Sequence, residues 1–494
     1  MKKNLLYILA VGALLFSSCD KQLDVEPQGG SVSDEQLAQL MAKDPVAGLD
    51  AMFLGALDFV HSGSRSGDTD GTGFSVWNLH MDLQGNDMFL SKTNNWFASD
   101  YLFNNRRFQT SSLAADLWYN YYKMVYKANQ ILDNVAVVPA EKYTDAVDAY
   151  KASLLTYRAL GYYYLLSIYR DDYMNGGKTS DKGLPFYLTV SDAKGCDKAS
   201  TMYTQLIKDL QDAVALFEKI EYDPTTSTAD IDQTIANMVL ARVALNAGKY
   251  DIAAAAAGAV IDSECYTLMN AEEYVESGFL DVSLPETMWG YNWTESTSNG
   301  NEAFAAWVSP IVTRASGNNK GIFVCMDKNL YDQIPDTDYR KKCIQETAST
   351  NYPADMISWK FATYGYYVDE VYMRLSEAYL LKAEAEARNQ QYAAAQQTLF
   401  DLVSERDSAY TKSTKEGAEL LAEIHLQSRI ELWGEGHEWF TNKRFNVGVD
   451  RTSSPSHKMA PVKFPAGKDF TYQIPLSIEM TPNSNMTDAD QNPA

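Results

Sequence analysis

The sequence predicts an all-α protein, a superhelix of antiparallel helix pairs carrying one large irregular elaboration. Three observations predict it. Long segments between residues 113 and 432 repeat apolar side chains at i, i+3 and i+4, which is the period of one helix face. Some of these segments run into the next through turns of only a few residues. Residues 266–368 hold Trp289, Trp293, Trp307 and Trp359 and several turn signals, but little helical period.

The chain opens with Lys2 and Lys3, an almost unbroken apolar run over residues 5–16, then Ser17, Ser18 and Cys19. A basic start, a short apolar run and small residues before a cleavage point make a secretory signal over residues 1–18. The run falls short of the ~20 apolar residues that a spanning helix needs. A cysteine as first residue after the cut makes it a lipoprotein signal, with the Cys19 thiol diacylated. Two or more acyl chains anchor a protein stably where one holds it only marginally. Residues 19–34 are polar and turn-rich and read as a tether.

Helical spacing begins at Asp34 and continues through Val46, Leu49, Phe53 and Leu57. Residues 61–73 form a Gly/Ser/Asp loop. Residues 74–107 are rich in Trp, Phe, Asn and Asp with weak periodicity. Helices are then expected at 113–135, 146–169, 203–217, 234–247, 250–261, 370–388, 392–403 and 416–432. The expected division is 35–265, an irregular elaboration at 266–368, and 369–494 with helix pairs and a Pro-rich tail. Two hairpins stand out: Leu240-Ala-Arg-Val-Ala-Leu-Asn-Ala-Gly-Lys-Tyr250, and Leu380 to Tyr392 with Ala383, Ala385 and Ala387. Small alanines where helices touch, and a Tyr opening the second helix, are the tetratricopeptide pattern. The two hairpins are not in tandem.

Composition narrows the function. The 494 residues are 46% hydrophobic, enough for a large core, and carry a net charge of −23. So acidic a chain is not a nucleic-acid binder, which needs basic stripes. The remaining cysteines, Cys196, Cys265, Cys325 and Cys343, match no zinc spacing. An exported protein can pair them, with Cys325–Cys343 closing the shortest loop, but buried free thiols are an equal reading.

The ordered set of segments resembles the SusD/RagB family of outer-membrane lipoproteins. The resemblance runs over nearly the whole chain. It rests on Cys19-Asp20 with Leu23-Asp24 and Pro27, on Tyr126-Lys127-Ala128-Asn129, and on Tyr157-Arg158-Ala159-Leu160-Gly161 with Gly183-Leu184-Pro185. It continues in Arg374, Glu377-Ala378-Tyr379, Arg429-Ile430-Glu431-Leu432, Gly436-His437-Glu438-Trp439-Phe440, Ile474-Pro475 and Gln491-Asn492-Pro493. His437 stands where the family commonly has Arg, and Asn442-Lys443-Arg444 replaces a more usual Asp-Leu-x-Arg. The resemblance implies tetratricopeptide-like pairs carrying an irregular ligand-binding region. It also implies a surface-exposed, lipid-anchored protein of the outer membrane that binds without chemistry. Such a protein captures oligosaccharides, or in some members oligopeptides, and serves as lid to a SusC-like TonB-dependent transporter.

Ligand candidates follow from chemistry. Sugar C–H faces stack on Trp or Tyr, and sugar hydroxyls pair with Asn, Asp and Arg. Trp77, Asn94, Asn95 and Trp96 offer that mixture in one segment, and Trp289, Tyr291, Trp293 and Trp307 in another. Core packing is the competing reading for each Trp. No cofactor is expected. Asp68 and Asp70 resemble the start of a calcium loop to which Asp82 and Asp87 could add oxygens, yet no Glu completes it. Glu370, Glu377 and Glu384 recur every seven residues and raise the alternative of an α-helical glycoside hydrolase, which needs two carboxylates facing a cleft. Solvated or salt-bridged faces are the usual explanation of such spacing.

Overall fold

The computed structural model describes residues 34–65, 72–93, 97–104, 107–170, 181–222, 227–277, 279–294, 297, 304–311, 322–365, 368–466 and 471–493. Among them no helix is long and apolar enough to cross a membrane.

The scaffold helices are α1 (Asp34–Lys43), α2 (Pro45–Ser62), α3 (Phe74–Asp82), α4 (Ser112–Val135), α5 (Asp145–Tyr169), α6 (Ala199–Lys219), α7 (Gln233–Asn246), α8 (Tyr250–Asp262), α9 (Leu375–Arg388), α10 (Tyr392–Arg406), α11 (Gly417–Glu431) and α12 (Glu438–Arg444). Caps fix several starts. Asp44 accepts from Ala47 N ahead of α2, with Pro45 at the first position, and Asp232 accepts from Thr234 N and Ile235 N ahead of α7.

From α4 to α10 each helix packs on the next, and α11 packs on α9. Helices α8 and α9 are separated by more than a hundred residues of sequence but lie side by side. The two alanine-marked hairpins are therefore consecutive in space, and the interrupted repeat is one superhelix. Close approach has sequence causes. Helix α8 buries Ala253, Ala256, Ala257 and Gly258, and a Cβ on Gly161 of α5 would stand 3.2 Å from the Tyr121 carbonyl of α4.

The expected helix over 370–388 is corrected at its start: residues Glu370–Arg374 are strand β8, and α9 begins at Leu375. Strand β8 pairs antiparallel with β4 (Thr287–Tyr291), so the scaffold's backbone continues into the elaboration. Gly290 permits the pairing, since a Cβ there would lie 2.5 Å from the Glu370 carbonyl. The elaboration is built of short elements. Strands β1 (Met88–Leu90), β5 (Val324–Met326), β7 (Ile357–Ser358) and β6 (Ile344–Gln345) form a sheet in that order, with Met88 opposite Met326 and Cys325 opposite Ile357. A second core of Phe97, Phe279, Phe304, Trp307, Phe323 and Phe361 packs around it. Residues 74–107, of weak periodicity in the sequence, contain α3. Its burial on nearly every side leaves no amphipathic period to read.

The four cysteines that follow Cys19 are free thiols, with Cys325 and Cys343 buried. Burial pushes the Cys343 thiol up to about 11, so it is an inert core group.

Candidate functional site

A buried ion cluster joins the elaboration to the scaffold. Arg374, at the end of β8, donates to Glu286 (2.6 Å), Glu431 (2.6 Å) and Glu435 (2.7 Å). Arg406 of α10 reaches Glu286 at 2.8 Å and Glu431 at 3.2 Å. Arg340 of the elaboration bridges Asp338 at 2.6 Å and Glu431 at 2.9 Å, and Lys360 meets Glu435 at 2.6 Å. Charges this deep persist only when paired and fully hydrogen-bonded. The guanidiniums hold Glu431 well below the usual carboxylate range, overcoming the opposing effect of burial.

The elaboration thus fixed presents one face on which several loops begin and end. Phe323 N donates to Ser91 Oγ at 2.8 Å. The Phe97 and Trp307 rings meet edge to face at 4.7 Å. Ser309 Oγ donates to the Thr363 carbonyl at 2.9 Å. Residues flanking 94–96, 298–303, 312–321 and 366–367 are thereby gathered. On this face Tyr364 is 90% exposed, and half-buried Trp359 meets half-buried Tyr352 edge to face at 5.0 Å. Sequence reasoning left these three out of its candidates. The run Tyr364-Gly365-Tyr366-Tyr367 was a usable signal, because adjacent tyrosines without strand or helix period have no core face to occupy.

The expected ligand residues divide. Trp77 and Trp289 are corrections: they are 1% and 0% exposed and pack around Phe74 in the scaffold core, with no ring face left for a sugar. Trp307 lies beneath the face against Phe97. Trp293 is buried edge to face on Tyr291 and donates Nε1 to Glu370 at 3.2 Å. Tyr291 is half-buried and stacks on His61 at 3.8 Å. Asn94, Asn95, Trp96, Cys19, Asp68 and Asp70 lie outside the described residues.

The described acids raised as calcium or catalytic candidates are otherwise engaged. Asp82 accepts from Gly436 N at 2.7 Å and Glu438 N at 3.0 Å, and Asp87 pairs with Arg429. Among the described residues no group of three His, Cys, Asp or Glu is placed to hold a metal. Glu377 takes Arg242 in a two-pronged pair at 2.6 Å, and Glu384 takes Arg444 and Arg388 at 2.9 Å. These two are buried rather than solvated. Among the described residues Glu370 has no cationic partner of this kind, and burial pushes it up to about 7 despite hydrogen bonds from Ser75 and Trp293.

With this geometry in place, comparison with known proteins is informative. The sequence model of the SusD family matches residues 281–491, and one described as starch-binding, associating with outer membrane, matches residues 70–245. The chain belongs to the SusD family. Among solved structures, a SusD-like carbohydrate-binding protein from Bacteroides vulgatus superposes with TM-score 0.78 at 22% identity, covering 91% of this chain and 98% of its own. A laminarin-binding SusD-like protein gives 0.67 at 19% identity, covering 90% and 99%. The surface glycan-binding protein A of Bacteroides uniformis gives 0.67 at 16%, covering 90% and 98%. At these identities the likeness is one of fold. No curated protein matches the sequence.

Proposed function

We propose that the protein is a lipid-anchored, surface-exposed receptor that captures oligosaccharide and passes it to a SusC-like TonB-dependent transporter, for which it acts as a lid. The observation that carries the reading is the loop face. It offers an exposed Tyr364 and the half-buried pair Trp359 and Tyr352, with the flanks of the Asn94-Asn95-Trp96 segment gathered into it. Aromatic faces open to solvent suit sugar rings. The family's description as starch-binding and associating with outer membrane supports glycan over the oligopeptide alternative. The engagement of Glu377 and Glu384 with arginines favours binding over hydrolysis, which needs two carboxylates free to face the substrate.

Calorimetric titration of the chain without its signal, against maltoheptaose, laminarihexaose and oligopeptides, tests the cargo. Tyr364→Ala and Trp96→Ala should each weaken sugar binding about tenfold, as loss of a stacking face of about 1.4 kcal/mol requires. Unchanged affinity in both variants removes the loop face from the reading. Recovery of the lipoprotein without any barrel protein, after mild detergent extraction, would count against the transporter.

A further inference from the structure

A second feature lies on the scaffold, away from the elaboration. One face of α4 presents Trp118, Tyr119, Tyr122 and Tyr126, which together with Tyr187 and the 189–191 segment enclose a cavity of about 300 Å³. No residue from 266–368 lines it. Its volume is at the lower end for small-molecule sites, giving room for a sugar ring rather than a long oligomer.

An aromatic stripe at helical spacing is ordinarily core. Here Tyr119 and Tyr126 are 38% and 44% exposed, and Leu188, Val190 and Leu476 lie open nearby. The polar groups constrain what enters. Lys123 Nζ sits 4.9 Å from the Tyr126 ring centre, and Lys194 Nζ 5.2 Å from that of Tyr187. The cation-binding faces of these two rings are therefore served by the protein's own ammonium groups. Glu479 lines the same cavity, its carboxylate accepting from Trp118 Nε1 at 3.2 Å and Asn483 Nδ2 at 2.6 Å. A cationic ligand meets the lysines and an anionic one meets Glu479. A neutral polyol with one apolar face meets ring faces, an ammonium donor and the Thr189 and Ser191 hydroxyls. Tyr122 is held rigid meanwhile by its hydrogen bond to the Pro185 carbonyl at 2.8 Å.

We infer that this pocket is a second carbohydrate site, one that takes a single neutral sugar unit and is independent of the loop face. The inference rests on the proposed glycan-binding function. Two sites on one receptor would raise its retention of a repeating polymer through effective concentration.

The test is calorimetric titration of the signal-free chain with maltoheptaose and laminarihexaose, comparing wild type, Tyr119→Ala/Tyr126→Ala and Tyr364→Ala. Both pocket tyrosines are exposed enough to be truncated without opening a cavity, which circular dichroism and melting would verify. The expected result is two classes of site for at least one sugar. The double variant weakens one class about tenfold and leaves the other; Tyr364→Ala does the reverse. A crystal soaked in the same sugar should show it between Tyr119 and Tyr187. A double variant that titrates like wild type, while Tyr364→Ala removes all binding, overturns the pocket and leaves the loop face standing. Wild type that binds neither sugar overturns both readings. Loss of co-purifying barrel with unchanged sugar titration assigns the pocket to a protein partner, and also overturns the inference.

Discussion

Glu370 is a buried carboxyl with no cation to balance it among the described residues, placed where β8 meets Trp293. Its ordinary value of 4.5 is pushed up to about 7 by burial, so in the fold it keeps its proton through most of the acidic range. For a raised acid the sign is plain: the folded chain binds the proton more tightly than the unfolded one. Stability from this group therefore falls as pH rises from 4.5 to about 7. Glu370→Gln, which preserves the hydrogen-bonding shape and cannot ionise, should gain on wild type across that window by up to about 3 kcal/mol. Urea denaturation of the two proteins at pH 4.5 and pH 7.5 measures it, and a constant difference between them would contradict the assignment. The residue scale also shows what chemistry alone leaves undecided. Trp77 and Tyr364 are both aromatic residues in segments of weak period, yet one is 1% and the other 90% exposed. Residue type tells which groups can stack on a sugar. Only the fold tells which of them have a free face.

Elements were legible where a helix has one wet side. The amphipathic α4 and α6 show their period over more than five turns. Helix α3, buried nearly all round, and the short strands of the elaboration had no such signal. Nor does any local pattern reveal that Arg374, Arg406 and Arg340 converge on Glu431, because their positions along the chain differ by up to ninety-one residues. That cluster is what turns separate elements into one unit. Glu431→Gln should destabilise the fold by about 3–5 kcal/mol, since it removes the charge that three guanidiniums share. A drop in the thermal or urea midpoint measures the effect, and a change under 1 kcal/mol would show that Glu286 and Glu435 suffice. The acids here are lowered, Glu435 to about 2, so the sign is opposite to that of Glu370. Their contribution is complete above about pH 4.5 and is lost as pH falls towards 2. Acid unfolding of wild type should be steep in that window, and visibly shallower in Glu435→Gln.

At the scale of the molecule, an acidic body of net charge −23 has no electrostatic reason to rest on an anionic lipid surface. Its described helices offer no span. In the proposed reading the Cys19 lipids supply retention at the membrane. Each buried methylene contributes about 0.8 kcal/mol, which makes one chain marginal and several sufficient. In the proposed reading the polar stretch that follows Cys19 in the sequence joins those lipids to the folded body. Cys19→Ala separates positioning from binding. In cells expressing it, the protein should leave the washed membrane fraction, or stay uncleaved at the inner membrane. The same chain purified without its signal should titrate sugar with unchanged affinity, since none of the residues named for either candidate site belongs to that N-terminal stretch. Persistence in the outer-membrane fraction would mean that barrel contact alone holds the protein. A loss of sugar affinity in solution would mean that the tether contributes to a site. The predicted pair of results, release with intact binding, is the one that a lipid-positioned receptor with a self-contained fold must give.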